Sequence, residues 1–113
     1  MIDMIVCITS KGPSPDDMVE ERFGRAPFFI FFDSENDEWN AVENAAAGAA
    51  GGVGPRAAQA LIDNGAKGVI TGNVGGNALA ALQAAGIAIY FFRGEGTVKS
   101  VYQQYKEGKL TRS

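Results

Sequence analysis

Apolar residues fall in short blocks separated by glycine, proline and acidic turns, and the length and period of each block predict an element. Met1 to Ile8 is almost continuously apolar, broken by Asp3 and stopped by Ser10-Lys-Gly-Pro-Ser-Pro15, which suits a buried strand. A polar excursion follows, then Phe28-Phe-Ile-Phe-Phe32, which is aromatic, β-favouring and too short for a helix. An acidic turn over 34–38 leads into Trp39-Asn-Ala-Val42, so the two strands should form an antiparallel hairpin.

After Asn44 the pattern changes. An alanine- and glycine-rich loop from Ala45 to Gly54 meets Pro55, whose missing N–H has no helical partner to lose in a first turn. Ala57, Ala60 and Leu61 line one helical face, and Asn64-Gly65 ends that helix. Lys67 to Thr71 reads as a strand, Asn77 to Ala85 as a helix with Leu79 and Leu82 inward, and Ile87 to Phe92 as a strand. Gly94-Glu-Gly-Thr97 opens a last helix with Val98, Val101, Tyr102 and Tyr105 at i, i+3, i+4 and i+7. Alternating β and α segments imply parallel strands joined by right-handed crossovers. With the hairpin, the expectation is an α/β fold: one domain over residues 1–113, with a mixed, roughly five-stranded sheet flanked by helices.

Composition narrows the chemistry. The 113 residues are 46% hydrophobic, enough for one folded core, and no apolar run approaches the roughly 18 to 20 residues that span a bilayer. With no N-terminal leader pattern either, the expectation is a cytoplasmic protein that does not engage a membrane. One cysteine and no histidine cannot supply an intramolecular disulfide, a Cys/His zinc site or the four thiolates of an ordinary iron–sulfur site. The net charge of −3 gives no reason to expect nucleic acid. Residues 1–50 carry ten acids and three bases, whereas residues 51–113 carry three acids and seven bases.

The fifteen glycines carry the candidate chemistry, because three glycine-rich stretches each precede a helix: Gly51-Gly52-Val-Gly54, Gly72-Asn73-Val-Gly75-Gly76 and Gly94-Glu-Gly96. Uncapped N–H groups and the positive end of a helix dipole attract anions, and glycine lets a ligand approach the backbone. At least two of these loops should converge at the C-terminal edge of the parallel strands, where open α/β sheets bind ligands. Arg22, Arg25, Arg56 and Arg93 flank these turns and could form a cationic wall for carboxylate or phosphate. Neither a dinucleotide fingerprint in strand context nor a P-loop Lys-Ser/Thr pair is present. Cys7, in mid-strand, suits a small buried hydrophobe. Hydrolysis with two metals would require Asp3, Asp33 and Glu43 to cluster.

The segments Phe23-Gly24-Arg25-Ala26-Pro27-Phe28, Gly54-Pro-Arg-Ala-Ala-Gln59, Val69-Ile-Thr-Gly-Asn-Val-Gly-Gly-Asn77-Ala78, Ala84-Ala-Gly-Ile-Ala-Ile-Tyr90 and Gly94-Glu-Gly-Thr97 occur in order along nearly the whole chain. Together they resemble the dinitrogenase iron–molybdenum cofactor biosynthesis domain family, the small domain of NifX, NafY and the NifB C-terminal region. The resemblance implies a ribonuclease H-like arrangement without nuclease chemistry. It also implies a non-enzymatic role in carrying an anionic iron–sulfur or iron–molybdenum cluster precursor, with cluster-assembly proteins as partners and a monomeric or homodimeric state. By position, Phe23, Gly24 and Arg25 fall on the family's signature turn, and Gly72, Asn73, Gly75, Gly76 and Asn77 on its strand-to-helix loop. Many members have histidine just before Phe-Gly-Arg, where this chain has Arg22. The ligand-binding set expected here is therefore Arg22, Phe23, Gly24, Arg25, Gly52, Gly54, Gly72, Asn73, Gly75, Gly76, Asn77, Gly94 and Gly96. A metal-independent sensor of small anions or nucleotide-like ligands is the alternative use of the same loops.

Overall fold

A computed structural model describes residues 4–48 and 53–112. The chain order is β1 (Ile5–Ser10), β2 (Phe28–Asp33), β3 (Trp39–Glu43), α1 (Val53–Asp63), β4 (Ala66–Thr71), α2 (Gly76–Ala84), β5 (Ala88–Phe91), α3 (Val98–Lys106) and β6 (Thr111–Arg112). One sheet takes all six strands in the order β3-β2-β1-β4-β5-β6. β1 pairs antiparallel with β2 and parallel with β4, and β4 pairs parallel with β5, as the two crossovers require. The predicted hairpin is β2–β3, closed so that Asp33 N–H donates to Glu38 C=O at 2.8 Å.

The inner strands β1 and β2 are apolar on both sides because the sheet is covered on both sides there. Cys7, Phe29, Phe31, Val69 and Ile89 point into a core shared with Ala57, Ala58 and Leu61 of α1 and Ala78 and Leu82 of α2. Their neighbours Val6, Ile8, Ile30, Phe32 and Ile70 point the other way, against Val98, Val101 and Tyr102 of α3. The rings of Phe32 and Tyr102 stack there at 3.9 Å between centroids. Thus α1 and α2 cover one face and α3 the opposite one.

Two details depart from the sequence reading. The sheet has a sixth strand rather than five: after Gly108, Thr111 and Arg112 pair antiparallel with Phe91 and Tyr90. Two exposed polar residues carry no period, so nothing in the pattern marks them. The first strand runs past Ile8 to Ser10, and the expected contribution of Met1 to Asp3 lies outside the described residues. The polar excursion after β1 is also held firmly: Glu20 N–H donates to Thr9 C=O at 3.0 Å, and Val19 N–H to Gly96 C=O at 2.9 Å.

Candidate functional site

Helices α1 and α2 start side by side. A Cβ built on Gly54 would lie 2.9 Å from the Cβ of Ala78, so only a bare backbone allows this approach. Their positive ends therefore point to one place, and neither helix has an acid in its first turn. At α2 the N-cap is Gly75, which offers no side-chain hydrogen bond to the waiting N–H groups, whereas α3 is capped by Thr97 Oγ1 accepting from Ser100 N–H at 3.2 Å.

The Phe-Gly-Arg turn completes this corner. Phe23 is buried, its ring 6.1 Å from that of Phe29, and its N–H donates to Asn73 C=O at 3.0 Å. From the far side, the buried amide of Asn44 donates to Gly24 C=O at 3.1 Å and to Ala26 C=O at 2.9 Å, and its Oδ1 accepts from Ala46 N–H at 3.2 Å. Fastened at both ends, the turn presents Gly24 and Arg25 to the helix starts. Arg25 Nη1 donates to Ala47 C=O at 2.9 Å, which steers the guanidinium along the rim. A cavity of about 320 Å³ results, lined by Gly24, Arg25, Gly54, Pro55, Gly75, Gly76, Asn77 and Ala78. Among the described residues no acidic side chain lines it.

The glycines of this corner have different reasons to be glycine. Gly54 is required by Ala78, and Gly72 by Glu21, whose Cα would sit 3.0 Å from an added Cβ. At Gly75 and Gly76 an added Cβ would meet nothing within 4 Å. Neither packing nor a positive φ explains glycine at these two positions, and both open on the cavity.

Of the residues expected to bind ligand, Gly24, Arg25, Gly54, Gly75, Gly76 and Asn77 are thus gathered on one cavity, while the other described ones sit elsewhere. Phe23 lies beneath the turn as a core residue. Arg22 is drawn to Glu20, with its Nε 3.4 Å from the carboxylate, and the Arg22 backbone N–H bonds the same group at 3.0 Å. Burial pushes the Glu20 carboxyl up, but these two bonds and the charges of Arg22 and Lys11 outweigh it and hold it below the usual range. Gly72 and Asn73 line a separate cleft with Glu21, Phe92 and Arg93. Gly94 and Gly96 precede α3 on the other face of the sheet, where Gly96 packs on the Phe92 ring. Gly52 lies outside the described residues, and Arg56 is exposed on α1 away from the cavity lining. Asn44 is the positioning residue that sequence reasoning missed. Its one signal was an amide side chain at the junction between a strand and a loop.

Among the described residues the side chains offer no set of protein ligands to metal. Cys7 is fully buried in the sheet and burial pushes its thiol up, the reverse of what a thiolate ligand needs. Among the described residues no three Cys, Asp or Glu side chains gather. Asp33 and Glu43 stand at opposite ends of the β2–β3 hairpin, in register with Ile5 and Phe28 respectively, so they do not cluster.

The model of the family described as dinitrogenase iron-molybdenum cofactor matches residues 4–108. The chain is similar to the apo form of the orange protein from Desulfovibrio gigas, at 35% identity over 97% of this chain and 92% of that one, with a TM-score of 0.93. It is also similar to a Thermotoga NifB candidate of the DUF35 family solved by NMR, at 40% identity over 95% and 90% of the two chains, with a TM-score of 0.84. A third solved structure, 24% identical over 97% and 96% of the chains with a TM-score of 0.78, shows the fold alone. No curated protein sequence matches. With its fold and nearly its whole length matched, the chain belongs to the dinitrogenase iron–molybdenum cofactor family.

Proposed function

We propose that this protein is a non-enzymatic carrier that holds an anionic iron–sulfur or iron–molybdenum cluster precursor as cargo in the cradle between α1, α2 and the Phe23–Ala26 turn. The observation that carries this reading is the pair Gly75 and Gly76: bare backbone at an uncapped helix start, facing a cavity with no acid among its described lining residues, beside Arg25. The donor set decides the mode of binding. Without imidazole or an accessible thiolate, the cargo is held as an intact anion by N–H groups and a guanidinium, not by bonds from side chain to metal. Such a hold is reversible, which suits delivery to a cluster-assembly partner. Membership of the family, and an orange-protein relative whose structure is described as an apo form, support the cargo reading.

Anaerobic incubation with iron and sulfide followed by gel filtration tests it. The wild type should elute with visible absorption, and Arg25→Ala and Gly76→Val should lose most of it while eluting at the same volume. If all three elute equally colourless, the cluster reading fails. A thermal shift with inorganic phosphate, lost in Gly76→Val, would then favour a sensor of small anions without metal.

A further inference from the structure

We infer that the outer edge of β3 is a docking strand, and that its occupant is an extended, lysine- or arginine-rich segment of a partner protein that adds to the sheet beside Trp39. β3 ends the sheet, and among the described residues no strand lies beyond it. The hairpin register identifies which groups are free. Glu38 C=O accepts from Asp33 N–H and Pro27 C=O from Asn44 N–H, so both pairs are hydrogen-bonded across the ladder. Bonded and non-bonded pairs alternate in an antiparallel ladder, so Asn40 and Val42 bond to β2, while Trp39, Ala41 and Glu43 turn their N–H and C=O groups outward. Those three residues form a template for another strand.

Trp39 is the chain's single tryptophan and is 47% exposed, the most exposed of its large apolar side chains among the described residues. It stands between two shallow clefts, one of about 240 Å³ with Ile5, Phe31 and Asn64 and one of about 300 Å³ with Pro15, Phe32 and Lys99. An incoming strand would cover the indole on the way to either cleft, and a tryptophan with such flanks is a typical energetic anchor.

Charge selects the occupant. Residues 33–43 contain Asp33, Glu35, Asp37, Glu38 and Glu43 and no base. The cations facing this strip are Lys106, paired with Asp37 at 3.0 Å, and Lys99 at the second cleft. A second copy pairing β3 to β3 would set acid against acid, whereas a basic strand would neutralise the strip. The edge also lacks the lysine or proline that commonly blocks strand addition, so acidity bars self-pairing and leaves a basic segment admissible.

The test is independent of the cargo reading and uses the full chain with an eight-residue peptide that alternates lysine with threonine and valine. Titration should move the backbone amide resonances of 39–43 and change Trp39 fluorescence. Affinity should fall severalfold when salt is raised, and severalfold in Trp39→Ser, an exposed substitution that leaves the fold intact. A peptide N-methylated along its pairing edge should not bind, although its charge is unchanged. The inference is overturned by a flat titration, by equal binding of the methylated peptide, or by shifts centred elsewhere. It is also overturned if the amides of 39–43 shift with protein concentration alone, which would make a second copy the occupant.

Discussion

Gly54 and Ala78 meet so closely that a methyl group on the first would lie 2.9 Å from the methyl of the second. This contact sets the spacing of the two helix starts and hence the width of the cradle. Gly54→Ala should therefore destabilise the protein despite alanine's better helix propensity. Overpacking costs about 1–3 kcal/mol and the propensity gain is at most about 1 kcal/mol, leaving a net loss of roughly 1 kcal/mol. Urea denaturation should show the midpoint falling with an unchanged slope. A midpoint at or above that of the wild type would mean the helices separate freely.

Gly76→Ala should do the opposite. Nothing lies within 4 Å of the added Cβ, and the residue opens α2, so stability should hold or rise by up to about 0.5 kcal/mol. Binding of the anionic cargo should nevertheless weaken, because the methyl group stands where a ligand approaches the backbone. Measured together, thermal stability and cluster retention should move in different directions. Parallel movement would make Gly76 a folding residue only.

Asn44 fastens the Phe-Gly-Arg turn, and Asn44→Asp removes both donor hydrogens while keeping the shape. Gly24 C=O and Ala26 C=O would then face a carboxylate instead of an amide. Leaving buried acceptors unpaired costs about 1–3 kcal/mol, and the facing charge adds to that. The loss should be partly recovered at low pH, where a protonated carboxyl can donate one of the two bonds. Denaturation midpoints of this variant and the wild type at two pH values measure that difference.

The sequence was most legible where one force acts alone. Phe28 to Phe32 has to be a strand because five apolar residues in a row need both faces covered, and the two cores do cover them. The glycine loops were legible as turns but not as neighbours. Gly75 and Gly54 line one cavity because α1 and α2 pack on the same face, while Gly94 and Gly96 are carried off because Val98, Val101 and Tyr102 commit α3 to the other. That choice depends on which strand face has room for each helix, a property of the assembled sheet. Arg22 and Arg25 were both expected in the cationic wall, and only the local fold shows Glu20 retaining the first. Asn44 escaped notice because its partners are backbone carbonyls 18 and 20 residues away, which leave no mark in the pattern of side chains.

Cys7 should take no part in holding cargo, even between two copies of the chain. It is fully buried within β1, and burial raises its thiol well above the ordinary value, so neither access nor thiolate character is available. A thiol-specific reagent should label the native protein only at the rate of global unfolding, and promptly in denaturant. Cys7→Ala should load iron and sulfide as the wild type does, at a stability cost of about 1–2 kcal/mol for the small void. Fast labelling of the native protein, or a colourless Cys7→Ala that remains folded, would place the thiol in the ligand set.

The contact that ties the hairpin to α3 should give stability an alkaline limit. The Tyr102 hydroxyl donates to Asp37 Oδ1, and Lys106 Nζ reaches the same oxygen at 3.0 Å. Burial, then the hydrogen bond and charge of Asp37, push the Tyr102 hydroxyl well above its ordinary value near 10.0. For a group raised in the folded state, stability is fully present below the unfolded value and declines as pH climbs from there towards the folded one. The hydrogen bond from Tyr102, then that from Lys106, hold the Asp37 carboxyl below its ordinary value near 3.8. Its contribution is therefore present above that value and is lost as pH falls through the folded one. Melting temperature against pH should accordingly fall on both sides, with the alkaline fall starting near pH 10. In Tyr102→Phe the alkaline fall should shrink, because the hydroxyl that must stay protonated is gone. The acid fall should shrink as well, since Asp37 keeps only Lys106, although the paired carboxylate of Glu20 sustains part of it. An alkaline limb unchanged in Tyr102→Phe would remove this tyrosine from the account and leave the loss to Tyr105, whose hydroxyl burial and then the charge of Tyr90 also push up.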